Sequence, residues 1–173
     1  MEKLEMLISR EEIEKRLTEI AKQLEKDYEN EKVIFVGILK GSFVFLADII
    51  RKVKIPIEID FMTASSYGNE TVSSGSVKIV KDIDINVKNK HILLVEDIVD
   101  TGYTLDYVKK FLDSKGAKSV KCLALLDKPE RRKVDIDVEY IGFTIPDKFI
   151  VGYGIDYAQK YRNLDHIAAV TLI

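Results

Sequence analysis

The sequence predicts one α/β domain built on a mostly parallel sheet with helices on both faces. Segments with helical periodicity alternate along the chain with short apolar runs rich in branched residues, and this alternation is typical of parallel sheets. The 173 residues suit a single domain that spans residues 1–173 and buries a sizeable core. No repeat or internal linker interrupts the pattern, so we expect no second domain.

The composition disfavours several functional classes. With 46% hydrophobic residues, 32% charged residues and a formal net charge of -2, the chain has an ordinary globular balance. Binding of nucleic acid through overall charge is therefore not expected. The acidic amino-terminal segment lacks the apolar core of a signal peptide, and no apolar run is long enough to span a bilayer, so we expect a cytoplasmic protein without a membrane partner. The single cysteine, Cys122, lies in a strand-like segment and is expected to be a buried thiol.

The first half of the chain predicts helix, strand, helix and strand in that order. Apolar residues recur at helical spacing over residues 13–28, and Ser9 with Glu12 forms a capping box in front of them. The chain is therefore expected to open with an amphipathic helix. The other three elements are predicted from a short branched run, from renewed helical spacing and from period-two alternation: residues 32–39, 43–53 and 57–62.

The second half begins with a serine- and glycine-rich stretch, residues 63–76, that shows no apolar period. Unstructured loops of this length are usually functional or disordered. A helix over about residues 104–115 is predicted to end at Gly116. The remaining apolar runs predict strands at residues 77–85, 91–95, 120–126, 138–143, 149–153 and 167–172.

The segment HILLVEDIVDTGYTL, residues 91–105, carries the strongest chemical signal. An apolar strand leads into three carboxylates, Glu96, Asp97 and Asp100, and then into a turn that opens a helix. Parallel sheets place ligands at the carboxyl ends of their strands, and buried acids need partners there. Carboxylates can accept two neighbouring ribose hydroxyls or orient a hydrated magnesium ion. These acids are therefore candidates to bind a sugar or a metal.

The turn that follows suits a phosphate monoester. It offers backbone N–H groups at a helix start, the hydroxyls of Thr101 and Thr104, and Gly102 for close approach. A phosphate site beside paired acids predicts a phosphorylated sugar as ligand. In the alternative interpretation, Asp100 caps the helix and the other two carboxylates are solvated acids.

The same segment resembles the phosphoribosyl-pyrophosphate motif of the purine salvage phosphoribosyltransferases: two apolar residues, two acids, two apolar residues, Asp-Thr-Gly and a Thr. Four further segments resemble the hypoxanthine-guanine branch of that family, in the same order and at similar spacing: GILKGSFVFLADI, DFMTASSYG, LLDKPERR and IPDKFIVGYGIDYAQKYRNL. The resemblance covers most of the chain from Val33 to Leu164. It implies the type I phosphoribosyltransferase fold, in which a small hood and a flexible lid loop cover the sheet.

The resemblance implies a role for each residue of the motif. Glu96 and Asp97 would lie beside the ribose hydroxyls and a Mg²⁺ ion, and Asp100 would handle the proton on the purine N7. The 5′-phosphate would be held by the turn that contains Asp100, Thr101, Gly102, Tyr103 and Thr104. Tyr103 stands where relatives often have lysine or leucine, and we expect little effect because the phosphate contacts are mostly made by the backbone.

LKGS resembles the pyrophosphate loop of the family, in which the peptide bond between Lys40 and Gly41 is often cis. The resemblance implies that these two residues bind pyrophosphate, together with Arg162, whose guanidinium geometry suits that ligand. The pair Ser66 and Tyr67 resembles the lid dipeptide that closes over the reacting centre and excludes water. Without the resemblance, all of these would be ordinary turn or surface residues.

Recognition of the purine is implied for the carboxyl-terminal third. Lys128 would donate to the O6 of a 6-oxopurine, Phe149 would stack on the base, and the backbone of Ile150 would bond to it. Asp156, in the same segment, matches a second metal position. The expected reaction is transfer of phosphoribose from phosphoribosyl pyrophosphate to hypoxanthine or guanine with Mg²⁺ as cofactor, and the expected assembly is a homodimer or homotetramer.

Three alternatives stay open at this point. A sister enzyme could use xanthine, adenine or a pyrimidine, although Lys128 argues against adenine, whose 6-amino group would repel an ammonium donor. A regulator with the same fold could bind RNA, which would need a basic face. A phospho-acceptor receiver domain could also carry clustered acids and a lysine, but that fold is shorter and has no long serine-rich loop.

Overall fold

The structure is a computed structural model that describes residues 2–67 and 76–172. It contains three α-helices, one short 3₁₀ helix and nine strands among those residues. In chain order they are β1 (Glu2–Ile8), α1 (Arg10–Asp27), β2 (Val33–Ile38), α2 (Phe43–Ile50), β3 (Ile57–Tyr67), β4 (Ser76–Lys81), β5 (His91–Val99), α3 (Tyr103–Ser114), β6 (Ser119–Asp127), the 3₁₀ helix (Pro129–Arg131), β7 (Tyr140–Thr144), β8 (Ile150–Val151) and β9 (Ile167–Leu172).

The central layer is a six-stranded sheet with the order β4-β3-β2-β5-β6-β7. Strands β2, β3, β5, β6 and β7 pair in parallel, and β4 pairs antiparallel with β3. The expectation of a mostly parallel sheet is therefore confirmed. Parallel pairing brings the carboxyl ends of these strands to one edge of the sheet, which is where this fold class binds ligands.

The core lies on both faces of the sheet, and alternate residues of the central strands supply it. Phe35 and Leu93 pack on the face that α1 and α2 cover, whereas Ile34, Val36 and Leu94 pack on the face that α3 covers. All six residues of β2 are buried, as expected for a continuous apolar run in the middle of a parallel sheet. Helices therefore cover both faces of the sheet.

The caps of α1 agree with the sequence. The hydroxyl of Ser9 accepts from the backbone N–H of Glu12 at 3.1 Å, and the Glu12 carboxylate accepts from the backbone N–H of Ser9 at 2.7 Å. This reciprocal pair is the predicted capping box.

Cys122 is a buried free cysteine, as predicted, and burial together with nearby Glu139 raises the pKa of its thiol to about 12.

A second, three-stranded antiparallel sheet with the order β1-β9-β8 forms the hood. Strand β1 precedes α1, so the prediction that the chain opens with a helix is wrong. Residues 2–6 are mostly exposed and strongly charged, so their composition does not predict a strand. Pairing with β9 stabilises the strand instead. Strand β8 has only two residues, because the chain turns at Gly152, whose φ is +99°.

Other boundaries also differ from the prediction. The stretch predicted as a loop over residues 63–76 is strand at both ends, since β3 continues to Tyr67 and pairs there with Ser76 of β4. Strand β4 ends at Lys81, because the next segment folds back on Asp60, whose carboxylate accepts the backbone N–H groups of Asp84 and Ile85. No helix in the described part of the chain is long and apolar enough to cross a membrane.

Candidate active site

The carboxyl ends of four parallel strands bring the predicted site segments together. The turn around Gly41 follows β2, the turn at residues 100–102 follows β5, Lys128 follows β6, and the segment that contains Asp147 follows β7. The backbone N–H of Lys128 donates to the carbonyl of Val99 at 2.9 Å, which ties two of these segments to each other. Residues far apart in sequence therefore share one edge of the sheet.

A cavity of about 240 Å³ opens at this edge, between the turn after β2 and the turn after β5. Apolar side chains line its floor, among them Ile38 and Leu105. The predicted site residues that line it are Gly41, Glu96, Asp97, Asp100, Thr101, Gly102 and Thr104. The acids and the turn that the sequence singled out thus face one common space.

Glu96 and Asp97 lie within β5 and not beyond its end. The strand was predicted to stop at Val95, but it continues to Val99. Burial, with a contribution from Asp97, raises the pKa of the Glu96 carboxyl well above its usual range. Burial also raises the pKa of Asp97 to about 6, against the opposing hydrogen bond from the N–H of Ile98 at 2.8 Å. A cation beside this pair would favour the charged carboxylates.

The turn after β2 lies directly against these acids. A Cβ on Gly41 would be 1.8 Å from Oδ2 of Asp97, so only glycine permits this approach of backbone to carboxylate. The peptide bond between Leu39 and Lys40 is cis, one position before the Lys40–Gly41 bond for which the family resemblance suggested that isomer. Lys40 itself is exposed, and it is not among the residues that line the cavity.

Asp100 does not cap α3. The amino-terminal cap is Gly102, with φ of +90° and no side-chain hydrogen bond, and α3 begins at Tyr103. The carboxylate Oδ1 of Asp100 instead accepts from Nε of Arg131 at 2.6 Å. The alternative in which Asp100 serves as a helix cap is therefore wrong. The carboxylate of Asp100 points toward the segment after β6. The first backbone N–H groups of α3, which have no partner within a helix, remain available at the turn.

Lys128 is buried, and its ammonium is held at the segment that follows β7. Its Nζ donates to the carbonyl of Lys148 at 2.5 Å and lies 3.7 Å from a carboxylate oxygen of Asp147. Phe149 is 54% exposed and makes an edge contact with Tyr157, with ring centroids 5.2 Å apart. Phe149 is therefore partly open to solvent, and it directly follows Lys148, whose carbonyl accepts the hydrogen bond from Lys128.

Ile150 lies in β8, whereas Asp156 and Arg162 lie in the segment between β8 and β9. Ile150 is buried and pairs with Ala169 in the hood. Arg162 donates to the carbonyl of Gly154 at 2.7 Å, and it forms an ion pair with Asp156 at 3.0 Å. The charge of Arg162 lowers the pKa of Asp97, and the charge of Asp156 raises it.

Ser66 is exposed near the end of β3, whereas the side chain of Tyr67 lies outside the described residues, as does most of the predicted lid. In the described ranges, no three acidic, histidine or cysteine side chains are grouped as metal ligands. Mg²⁺ commonly takes one or two protein carboxylates plus substrate phosphates, so a pair of acids is a sufficient protein contribution.

Sequence reasoning missed Arg131 and Asp147. Both are exposed and charged in segments rich in other charges, so no pattern distinguishes them from solvated surface residues. Only the structure shows the contacts that they make with Asp100 and Lys128.

Comparison with known proteins shows the family of this chain. Residues 4–158 match the family described as phosphoribosyl transferase domain. The chain belongs to the phosphoribosyltransferase family. A hypoxanthine phosphoribosyltransferase of Haemophilus influenzae is 48% identical over 172 residues, which cover 98% of this chain and 96% of the relative. A hypoxanthine-guanine phosphoribosyltransferase of Bacillus subtilis is 48% identical over 165 residues, covering 95% and 92%.

Solved phosphoribosyltransferase structures show the same fold. A hypoxanthine-guanine phosphoribosyltransferase from Bacillus anthracis, with a HEPES molecule in its active site, has a TM-score of 0.93 and 53% identity, covering 96% of this chain and 98% of that one. A Staphylococcus aureus hypoxanthine phosphoribosyltransferase has a TM-score of 0.93 and 44% identity, covering 96% and 91%. The expected type I fold is thereby confirmed, and the xanthine-preferring, RNA-binding and receiver-domain alternatives gain no support.

Proposed function

We propose that this phosphoribosyltransferase acts in purine salvage. It transfers the 5-phosphoribosyl group from phosphoribosyl pyrophosphate to hypoxanthine and guanine, and it releases IMP or GMP with pyrophosphate. The observation that carries the proposal is the cavity at the sheet edge, where the partly buried pair Glu96 and Asp97 faces the same space as the turn that opens α3. The names of the relatives support the choice of purine.

The 5′-phosphate binds at the turn formed by Thr101, Gly102, Tyr103 and Thr104. Backbone N–H groups at the start of a helix attract an anion through hydrogen bonds and the helix dipole. Gly102 adopts a φ of +90°, which side chains rarely tolerate and which turns the backbone at this point. The hydroxyls of the two threonines add donors, so the phosphate anchors the sugar beside the acids of β5.

Glu96 and Asp97 bind the ribose hydroxyls and hold Mg²⁺, and Asp156 provides a second metal position. The donor set fits, because carboxylate oxygens are the ligands that Mg²⁺ prefers, and both acids of β5 are partly buried at the cavity, where a cation would offset their charge. The ion supplies charge neutralisation for pyrophosphate as it leaves. Lys40, the backbone at Gly41 and Arg162 contact that leaving group.

Asp100 accepts the proton that the purine N7 loses, and its negative charge stabilises the sugar cation that develops as pyrophosphate departs. Lys128 donates to O6 of the base, Phe149 stacks on its ring, and the backbone of Ile150 bonds to its edge. Ser66 and Tyr67 belong to a lid that excludes water during the reaction. An amine donor opposite O6 selects 6-oxopurines over adenine.

The proposal is tested by mixing the purified chain with Mg²⁺, phosphoribosyl pyrophosphate and one base at a time, and by quantifying the nucleotide formed. Hypoxanthine and guanine are expected to react, whereas adenine and uracil are not. If XMP forms in preference to IMP, xanthine replaces hypoxanthine as the proposed substrate. If no base yields a nucleotide, the proposed activity is overturned.

Lys128→Met is expected to raise the KM for hypoxanthine about 10- to 100-fold and to leave the KM for phosphoribosyl pyrophosphate nearly unchanged. Methionine keeps the buried apolar stem but removes the donor to O6, and a hydrogen bond that involves a charged group is worth about 1.5–3 kcal/mol. Steady-state kinetics with each substrate varied in turn measures the split. Equal increases in both KM values would contradict a role confined to the base.

Activity is expected to disappear in excess chelator and to return on addition of Mg²⁺, because pyrophosphate must leave with its charge neutralised. The measurement is nucleotide formation before chelation, in the presence of chelator and after Mg²⁺ is restored. A melting curve recorded in chelator serves as the control for unfolding. Full turnover in chelator would exclude the proposed metal site at Glu96 and Asp97.

Three further expectations are part of the proposal. The chain functions as one domain over residues 1–173, it assembles as a homodimer or homotetramer, and it works in the cytoplasm. Light scattering coupled to size-exclusion chromatography distinguishes the two assemblies from a monomer.

A further inference from the structure

An ion-pair bridge connects the turn after β5 with the segment after β7. Nε of Arg131 donates to Oδ1 of Asp100 at 2.6 Å, and Nη1 of Arg131 lies 3.5 Å from Oδ2 of Asp147. Arg131 ends the 3₁₀ helix that starts directly after Lys128. One guanidinium therefore joins three segments of the site edge: the turn that contains Asp100, the segment that contains Lys128, and the segment that leads to Phe149.

The bridge restricts the carboxylate of Asp100. Within the described ranges, that carboxylate accepts a hydrogen bond through Oδ1 from Arg131, and its Oδ2 accepts none. A half-exposed aspartate without such a partner rotates between several side-chain conformers. With Oδ1 held by Nε, rotation is limited and Oδ2 stays available to a ligand in the cavity that Asp100 lines.

We infer that Arg131 is a positioning residue, which orients the carboxylate of Asp100 for proton transfer and is itself held in place by Asp147. The inference rests on the proposed function, in which Asp100 accepts the purine proton. The planar guanidinium suits this task, because it offers separate N–H groups to two carboxylates at once. Asp147 thus acts on the reaction through Arg131, although it lies in the segment that binds the base.

A purely structural role for the bridge is disfavoured by its exposure. The side chains of Arg131, Asp100 and Asp147 are 46%, 43% and 44% exposed, and ion pairs in that setting contribute little to stability. The neighbouring pair of Arg132 with Asp127 is different, since both of those side chains are mostly buried. Loss of the exposed bridge should therefore change turnover without changing the melting temperature.

The test is a double-mutant cycle of Arg131→Met and Asp147→Asn, measured by kcat with saturating phosphoribosyl pyrophosphate and Mg²⁺. Arg131→Met is expected to lower kcat about 10-fold, as for the loss of one hydrogen bond to a charged group. Asp147→Asn alone lowers kcat by a smaller factor and adds nothing in the Arg131→Met background. The melting temperature and the KM for phosphoribosyl pyrophosphate stay close to those of the unchanged chain. Arg10→Met, which removes an exposed arginine paired with Asp165, is the matched control and leaves kcat unchanged.

The outcomes separate this inference from the proposed function. If the wild-type chain makes no IMP, the proposed function is overturned and so is the inference that rests on it. An active chain whose Arg131→Met variant keeps its kcat overturns the inference alone, as does a cycle in which the two kcat effects multiply. Since Asp147 also lies near Lys128, an effect of Asp147→Asn on the KM for hypoxanthine is expected to persist in both backgrounds.

Discussion

Asp100→Asn is expected to lower kcat by about 10² to 10⁴-fold, the range typical of general acid-base catalysis. Asparagine keeps the size of the side chain and can still accept the hydrogen bond from Nε of Arg131. It cannot take up the purine proton, and it carries no negative charge beside the developing sugar cation. The measurement is kcat with saturating hypoxanthine, phosphoribosyl pyrophosphate and Mg²⁺.

Two controls restrict the interpretation of this variant. The melting temperature should change little, because Asp100 is 43% exposed and does not cap α3. Binding of phosphoribosyl pyrophosphate, measured by calorimetry, should also be roughly preserved, since in the proposed function the backbone of the turn makes most of the phosphate contacts. Turnover close to normal would exclude Asp100 as the base, and lost phosphate binding would assign it to the phosphate site instead.

The parts of the fold that could be predicted are those whose local pattern agrees with their burial. Strand β2 is a continuous apolar run and is fully buried, and the capping box of α1 involves neighbours in sequence. Strand β1 could not be predicted, because its residues are mostly exposed and its structure depends on pairing with β9, about 165 residues later. Pairing between distant segments leaves no mark in the local periodicity of an exposed strand.

The candidate site divides in a similar way. The acids of β5 and the turn before α3 form one continuous segment, so the sequence was sufficient to identify them as candidate site residues. The contacts of Arg131 with Asp100 and Asp147 depend on three loops that meet only because parallel strands end at one edge. The end of β5 was also misplaced, because two carboxylates normally stop a buried strand and here they continue it, at the cost of raised pKa values.

The close approach of Gly41 to Asp97 provides the second large effect. Gly41→Ala is expected to lower kcat at least about 10²-fold, the loss that misplacement of a site group by about 1 Å can cause. The new Cβ would lie 1.8 Å from Oδ2 and 2.6 Å from Cγ of Asp97, so either the turn or the carboxylate must move. Asp97 is held by the N–H of Ile98, and moving it breaks that bond and displaces a proposed ligand of the ribose and the metal.

Overpacking also destabilises, typically by about 1–3 kcal/mol, so a loss of activity must be separated from a loss of folded protein. Gly116→Ala is the matched control, because its φ of +85° strains any side chain by roughly 1 kcal/mol or more, while the nearest atom to the new Cβ is 3.6 Å away on Lys88. Both variants should therefore melt at lower temperature, but only Gly41→Ala should lose turnover when kcat is measured well below both melting temperatures. If the two variants lose stability by similar amounts and both keep their turnover, the contact between the turn after β2 and Asp97 has no part in the reaction.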